Sequence, residues 1–255
     1  MPFDLVTVPC LSDNYAFLLH DAASGHTLLV DVPEAAPILA ELADRNWQVS
    51  HVLLTHHHPD HVQGLAQLLA DHPAQVIGGA ADAHRLPPLD VALREGDIFA
   101  FAGEEAEVYD VSGHTVGHIA VHFPISGIAF TADSLMALGC GRLFEGSPAQ
   151  MWESLSKLMK LPAATTICSG HEYTAANARF ALSIEPDNQD LIARAAAIDA
   201  ARAKNQPTVP SKLSEELSTN PFLRPHSAEI RQRLGMQKHS DAEVFAEIRR
   251  RKDTF

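Results

Sequence analysis

The sequence predicts an α/β protein with a strand-rich region of about 170 residues followed by a helical region of about 80. Three observations lead there. The chain has 255 residues, more than a typical single domain. Short apolar segments separated by turn-forming residues fill the first part. After about residue 172 that pattern stops, and helical spacing takes over with no convincing strand. The expected domains are therefore 1–172 and 173–255.

Strands are expected at 3–8, 15–19 and 27–32, with Ser12, Asp13 and Asn14 turning the chain between the first two. Residues 33–43 carry apolar side chains at helical spacing behind Pro33, which suits a helix start. A short strand at 52–54 runs into a histidine cluster, and 62–70 reads as the next helix. Further strands are expected at 75–77, 107–111, 119–123, 128–130 and 166–168, with a helix at 148–159. The last part reads as helices at 175–184, 189–203, 211–217 and 241–251, the second capped by Asp187 or Asn188 and the last by Ser240.

Composition narrows the function. Hydrophobic residues make up 46% of the chain, enough for a core, yet no run of about eighteen apolar residues occurs, so no membrane span is expected. The first residues lack a basic stretch followed by a long apolar one, so no secretory signal is expected. Cys10, Cys140 and Cys168 are odd in number and far apart, which implies no disulfide framework and fits a reducing, cytoplasmic setting. A formal net charge of −13 repels phosphate backbones and argues against a nucleic-acid partner.

The chemistry lies in Thr55-His56-His57-His58-Pro59-Asp60-His61. In an extended segment alternate side chains share a direction, so His56 and His58 point together, while Asp60 and His61 sit at the turn into a helix. Four potential donors in six residues behind an apolar strand suit zinc, iron or manganese better than a chance polar loop. His114, Asp133 and His171 each follow an expected strand, where loops carry chemistry on a rigid scaffold. His57 should face away, His51 should precede its strand on the surface, and His118 should be a neighbour of the site or a core residue. Asp110 reads equally as a second-layer acceptor or a solvated side chain. His20, His26, His72, His84, His122, His226 and His239 read as ordinary core or surface histidines. Neither Cys140 nor Cys168 has a partner cysteine at ligand spacing, so structural roles are expected.

His56, His58, Asp60, His61, His114, Asp133 and His171, in that order, resemble the H-x-H-x-D-H pattern and distant ligands of the metallo-β-lactamase superfamily. Within it the chain looks like the glyoxalase II (hydroxyacylglutathione hydrolase) family. The distinguishing segments are Asp13-Asn14-Tyr15, Gly139-Cys140-Gly141-Arg142-Leu143-Phe144-Glu145-Gly146, Gly170-His171-Glu172-Tyr173-Thr174 with Asn177, Asn220-Pro221-Phe222-Leu223-Arg224, and Arg249-Arg250-Arg251-Lys252-Asp253. The resemblance implies a four-layer αββα sandwich with a C-terminal all-α domain. It implies two divalent ions, most simply zinc, with iron or manganese also compatible. His56, His58 and His114 would hold one ion, Asp60, His61 and His171 the other, and Asp133 would bridge; Asp60 and Asp133 would also be catalytic.

The implied reaction is hydrolysis of S-(2-hydroxyacyl)glutathione, chiefly S-D-lactoylglutathione, to glutathione and D-lactate by hydroxide generated at the metals. A thiolate leaves readily, since a cysteine-like thiol has a pKa of about 8.5, and no separate acid is needed. Arg142, Phe144, Tyr173, Arg249 and Lys252 would bind the substrate, in a monomer. Departures from the family pattern are Ala132 in place of a glycine, Val111-Ser112 in place of Thr-Pro, and Phe144 in place of a tyrosine, which removes one hydroxyl contact. The competing expectation is a mononuclear-iron glutathione persulfide dioxygenase of the same superfamily.

Overall fold

The structure is a computed structural model that describes residues 3–255. It divides into two compact units: the first runs to Asp110 and takes in Val116–Ala132, and the second comprises Val111–Thr115 and Asp133–Phe255.

The first unit contains β1 (Asp4–Cys10), β2 (Asn14–Asp21), β3 (His26–Val30), α1 (Ala35–Arg45), β4 (Gln48–Leu54), α2 (Pro59–Val62), α3 (Leu65–Asp71), β5 (Gln75–Gly79), β6 (Val91–Leu93), β7 (Ile98–Phe101), β8 (Glu104–Asp110), β9 (Ile119–Phe123) and β10 (Ile128–Ala132). Strands β1 to β6 form one sheet in sequence order, antiparallel as far as β3 and parallel from there. Strands β7 to β10 pair antiparallel as successive neighbours.

One face of the first sheet buries Val8, Leu18, Leu29, Val52 and Leu54 against Ile38 and Leu42 of α1 and Leu65 and Leu68 of α3. The two leucine or isoleucine pairs are spaced to share a helix face, which is why these segments become helices here. On the other face, aromatic rings bridge the sheets: Phe17 meets Phe130 at 5.9 Å, and Phe3 meets Phe123 at 5.9 Å. The fully buried Phe123 and Phe130 rings each contribute about 1.5–3 kcal/mol relative to exposure. Because β2 is covered on both sides, all eight of its residues are buried.

The helix expected at 62–70 is divided at Gly64 into α2 and α3. A Cβ at Gly64 would stand 2.8 Å from the Ala35 backbone nitrogen, so only glycine permits this approach to α1. Strands β6 and β7 were not expected; β6 has only three residues, too few to show a period. His51 corrects an expectation. It lies within β4, not before it, and its ring packs edge-on to Phe101 at 5.4 Å. Burial, and then the neighbouring His26, hold its pKa below the usual histidine value.

The second unit contains β11 (Leu135–Met136), β12 (Gly139–Cys140), α4 (Pro148–Leu158), β13 (Thr166–Ser169), α5 (Thr174–Ile184), α6 (Gln189–Arg202), β14 (Ser211–Lys212), α7 (Leu213–Thr219), α8 (Ala228–Leu234) and α9 (Asp241–Asp253). Asn188 caps α6 and Ser240 caps α9, the latter in a reciprocal box with Glu243. The expected helix at 211–217 starts late, because Ser211 and Lys212 first pair with β13. So a strand does occur after residue 172, two residues long. Helix α8 was not foreseen; it buries only Ile230, too little for a visible apolar stripe. Phe222 sits between Phe180 and Phe245, each 5.9 Å away, at the centre of the helical core. Among the described residues no helix is long and apolar enough to cross a membrane.

Candidate metal centre and substrate surface

In the first unit the donors follow from β4. The strand ends at Leu54, and the extended chain beyond it brings the His56 and His58 rings to 4.8 Å and the His56 and His61 rings to 4.2 Å. Asp60 and His61 open α2, with Asp60 Oδ2 3.9 Å from His61 Nε2.

Three of the four are oriented by a neighbour. His61 Nδ1 lies 2.8 Å from Asp31 Oδ2, and His56 Nδ1 lies 3.0 Å from the Thr55 hydroxyl. Asp31 also accepts from the Thr55 amide and hydroxyl, both at 2.8 Å. The Asn14 amide donates to the Asp60 carbonyl at 3.0 Å and to Asp60 Oδ2 at 3.1 Å. With Nδ1 engaged in this way, Nε2 is the nitrogen that could face a metal, the usual arrangement of a ligating histidine and its outer partner. His57 turns instead to the buried Asp82, 3.0 Å away, and His118 stacks on His56 at 4.6 Å.

In the second unit two imidazoles converge on the carboxylate of the third donor. Asp133 Oδ2 lies 3.4 Å from His114 Nε2 and 3.2 Å from His171 Nε2. All three side chains are buried. His114 Nδ1 is 2.7 Å from the Arg142 carbonyl, which again leaves Nε2 toward the carboxylate. Gly141 allows this crowding, since a Cβ there would overlap the Asp133 carbonyl oxygen. Each of the seven side chains falls in a His/Asp group able to hold a metal ion. The donor chemistry fits a zinc, iron or manganese ion, being imidazole and carboxylate without thiolate. Burial pushes the Cys140 thiol up to about 11 and raises Cys168 as well, so both stay protonated and structural. Ala132, just before Asp133, holds φ 40°, a left-handed conformation that explains why glycine suits the position.

The same unit carries the residues expected to bind substrate. Tyr173 is 41% exposed and stacks on His171 at 4.6 Å; Phe144 is 62% exposed and meets the His114 ring edge-on at 5.3 Å. Arg142 lies 3.6 Å from Asp253. Lys252 Nζ stands over Phe180 and Phe255 at 5.2 and 5.5 Å and donates to the Ala176 carbonyl. Desolvation, with Arg249 and Arg179 nearby, lowers its pKa to about 8. Arg249 is only 6% exposed; it donates to the Cys140 carbonyl at 2.9 Å and to Asp253 at 2.8 Å. Much of its donor capacity is thus spent inside the unit.

Sequence reasoning did not single out Asp31, or Asn14 as a brace for Asp60. Asp31 could have been flagged as an acid directly after an apolar strand, the position where loops carry chemistry.

Known proteins match this chain along its whole length. Residues 13–171 match the family described as "Metallo-beta-lactamase superfamily", and residues 172–255 match "Hydroxyacylglutathione hydrolase C-terminus". A relative from Roseobacter denitrificans, named hydroxyacylglutathione hydrolase, is 65% identical over 255 residues and all of both chains. One of the same name from Cereibacter sphaeroides is 64% identical, again over all of both chains. Among solved structures, the BLEG-1 B3 metallo-β-lactamase superposes with a TM-score of 0.68 at 17% identity, covering 87% of this chain and 100% of its own. That likeness gives the fold: the metallo-β-lactamase α/β sandwich, here with a C-terminal helical region.

Proposed function

This chain belongs to the metallo-β-lactamase superfamily and, within it, to the hydroxyacylglutathione hydrolase family, and from that premise we propose that it hydrolyses S-(2-hydroxyacyl)glutathione thioesters. The chief substrate is S-D-lactoylglutathione, and the products are glutathione and D-lactate. The observation that carries this is full-length identity of 64% and 65% to relatives bearing that name. Residues 1–172 act as the catalytic domain and 173–255 as the substrate-binding one. The protein works as a monomer in the cytoplasm, where its three unbridged, buried cysteines stay reduced.

His56, His58 and His114 would hold one divalent ion, and Asp60, His61 and His171 a second, with Asp133 available to both. Zinc is the simplest occupant, with iron or manganese compatible with the same donors. Bound there, such ions polarise a carbonyl and bring the pKa of water near neutrality.

The protein's own groups supply the rest. Asp31, Thr55 and the Arg142 carbonyl fix three imidazoles through Nδ1, so the donors need no reorganisation during turnover. Asn14 holds Asp60, whose Oδ2 and the Asp133 carboxylate orient the attacking water. Tyr173 and Phe144 flank the thioester, and Arg142, Arg249 and Lys252 offset the acidic chain by attracting the glutathione carboxylates. The leaving thiol, with a pKa of about 8.5 in cysteine, departs without a dedicated acid.

The test is S-D-lactoylglutathione hydrolysis, followed by loss of thioester absorbance, with metal measured on the same sample. Turnover with about two ions per chain is expected, as a two-metal site requires. A fully metallated protein without turnover would reject the substrate. Oxygen consumption with glutathione persulfide and one iron would favour the dioxygenase instead.

A further inference from the structure

Asn220 is neither a proposed metal ligand nor a proposed substrate contact, yet it is fully buried, as is Glu216 one turn earlier. Both reach the tight β11–β12 hairpin. The Asn220 side-chain amide donates to the carbonyls of Met136 at 3.1 Å and Gly139 at 3.0 Å. Glu216 Oε2 accepts from the Leu138 amide at 2.8 Å and from Asn220 at 3.1 Å. The Asn177 amide donates to the Ala137 carbonyl at 3.0 Å. Every residue of the turn 136–139 therefore has a backbone polar group satisfied by a side chain from the helical part. Arg194 pairs with Glu216, which offsets the burial of its charge.

This turn does not close by local preference. Leu138 has φ 56°, a left-handed conformation that disfavours leucine, and its side chain is buried among Ala178, Ala181, Leu191, Ala195 and Ile198. Gly139 is needed because a Cβ would fall 2.5 Å from Asn177 Nδ2. Such a conformation persists only when its surroundings over-determine it.

The base of the hairpin is the metal-ligand segment. The Gly141 amide donates to the Ser134 carbonyl at 3.2 Å, next to Asp133, and the Arg142 carbonyl meets His114 Nδ1 at 2.7 Å. We infer that Asn220 and Glu216 are positioning residues: by holding the turn 136–139 they fix where Asp133, His114 and the Arg142–Phe144 segment sit. This rests on the proposal that Asp133 and His114 bind metal. Asn220 touches neither substrate nor metal, and acts through the hairpin backbone.

The experiment compares wild type, Asn220→Ala, Asn177→Ala and, as a remote control, Ser240→Ala. Zinc affinity is measured by chelator competition with Zn2+ alone, alongside circular dichroism and Tm. Asn220→Ala should keep its secondary structure and lose about 10–100-fold in zinc affinity, as outer-shell changes do. Asn177→Ala removes a single bond and should lose about fivefold; it carries the test if Asn220→Ala fails to fold. Ser240→Ala should lower Tm and leave zinc affinity unchanged. If the Asn220 and Asn177 variants only lower Tm, with wild-type zinc affinity, the two side chains merely stabilise and the inference is overturned. Zinc is read here without thioester, so a failure to hydrolyse the thioester would not disturb this result.

Discussion

The two units deliver their donors in different ways. In the first, four donors lie within six residues at the end of β4, and His56, Asp60 and His61 are each oriented by a side chain of the same unit. In the second, three donors come from separate loops at 114, 133 and 171, and meet because a hairpin and a helical core hold them. A contiguous segment needs only a strand period and a helix start to aim its side chains. Scattered donors need tertiary bracing, as at the turn whose Leu138 is held in the left-handed region.

The largest effect should come from the shared carboxylate. Asp133→Ala is expected to cut kcat/KM well beyond the roughly 100-fold typical of outer-shell partners, with metal lost in the same sample. His58→Ala should do comparable damage; if it left turnover intact, the two donor groups would not serve one reaction.

Next in size is Asp31→Ala. It strips the acceptor from His61, the Thr55 amide and the Thr55 hydroxyl at once. Metal affinity should fall about 10–100-fold. Stability should fall by about 1–3 kcal/mol for each group left unpaired. Unchanged metal affinity on chelator titration would show that the first unit's donors hold themselves, and the contrast would sharpen.

Lys252→Ala probes binding in the second unit. KM should rise about tenfold, as loss of a charged hydrogen bond predicts, with kcat nearly unchanged. Because Lys252 has a pKa of about 8, KM of the wild type should rise as pH passes that value and the ammonium is lost. The stability linkage has the opposite sense. The folded protein binds this proton less tightly than the unfolded chain does, so its contribution to stability grows between pH about 8 and the ordinary lysine value. A flat KM across that window would remove Lys252 from the binding site. The smallest effect is Phe144→Tyr, which restores a hydroxyl on an exposed ring and should lower KM only severalfold, the worth of one neutral hydrogen bond.

How much of this could be read beforehand follows the same division. The strand before His56, the same-side pairing of His56 and His58, and the caps at Asn188 and Ser240 depend on neighbours a few residues away, and periodicity reveals them. The β11–β12 hairpin, β14 and the position of His51 inside β4 depend on partners far along the chain, and no local pattern announces them.

The sequence by itself determined the α/β class, the change to helices near residue 172, and a donor set whose chemistry suits a divalent metal, because side-chain period and residue type are local properties. Only the tertiary structure decided that Asp31 and Asn14 orient the first donors, and that Asn177, Glu216 and Asn220 hold the turn behind Asp133. Those contacts join residues 30 to 84 positions apart. They arise only once burial forces each polar group, of backbone and side chain alike, to find a partner.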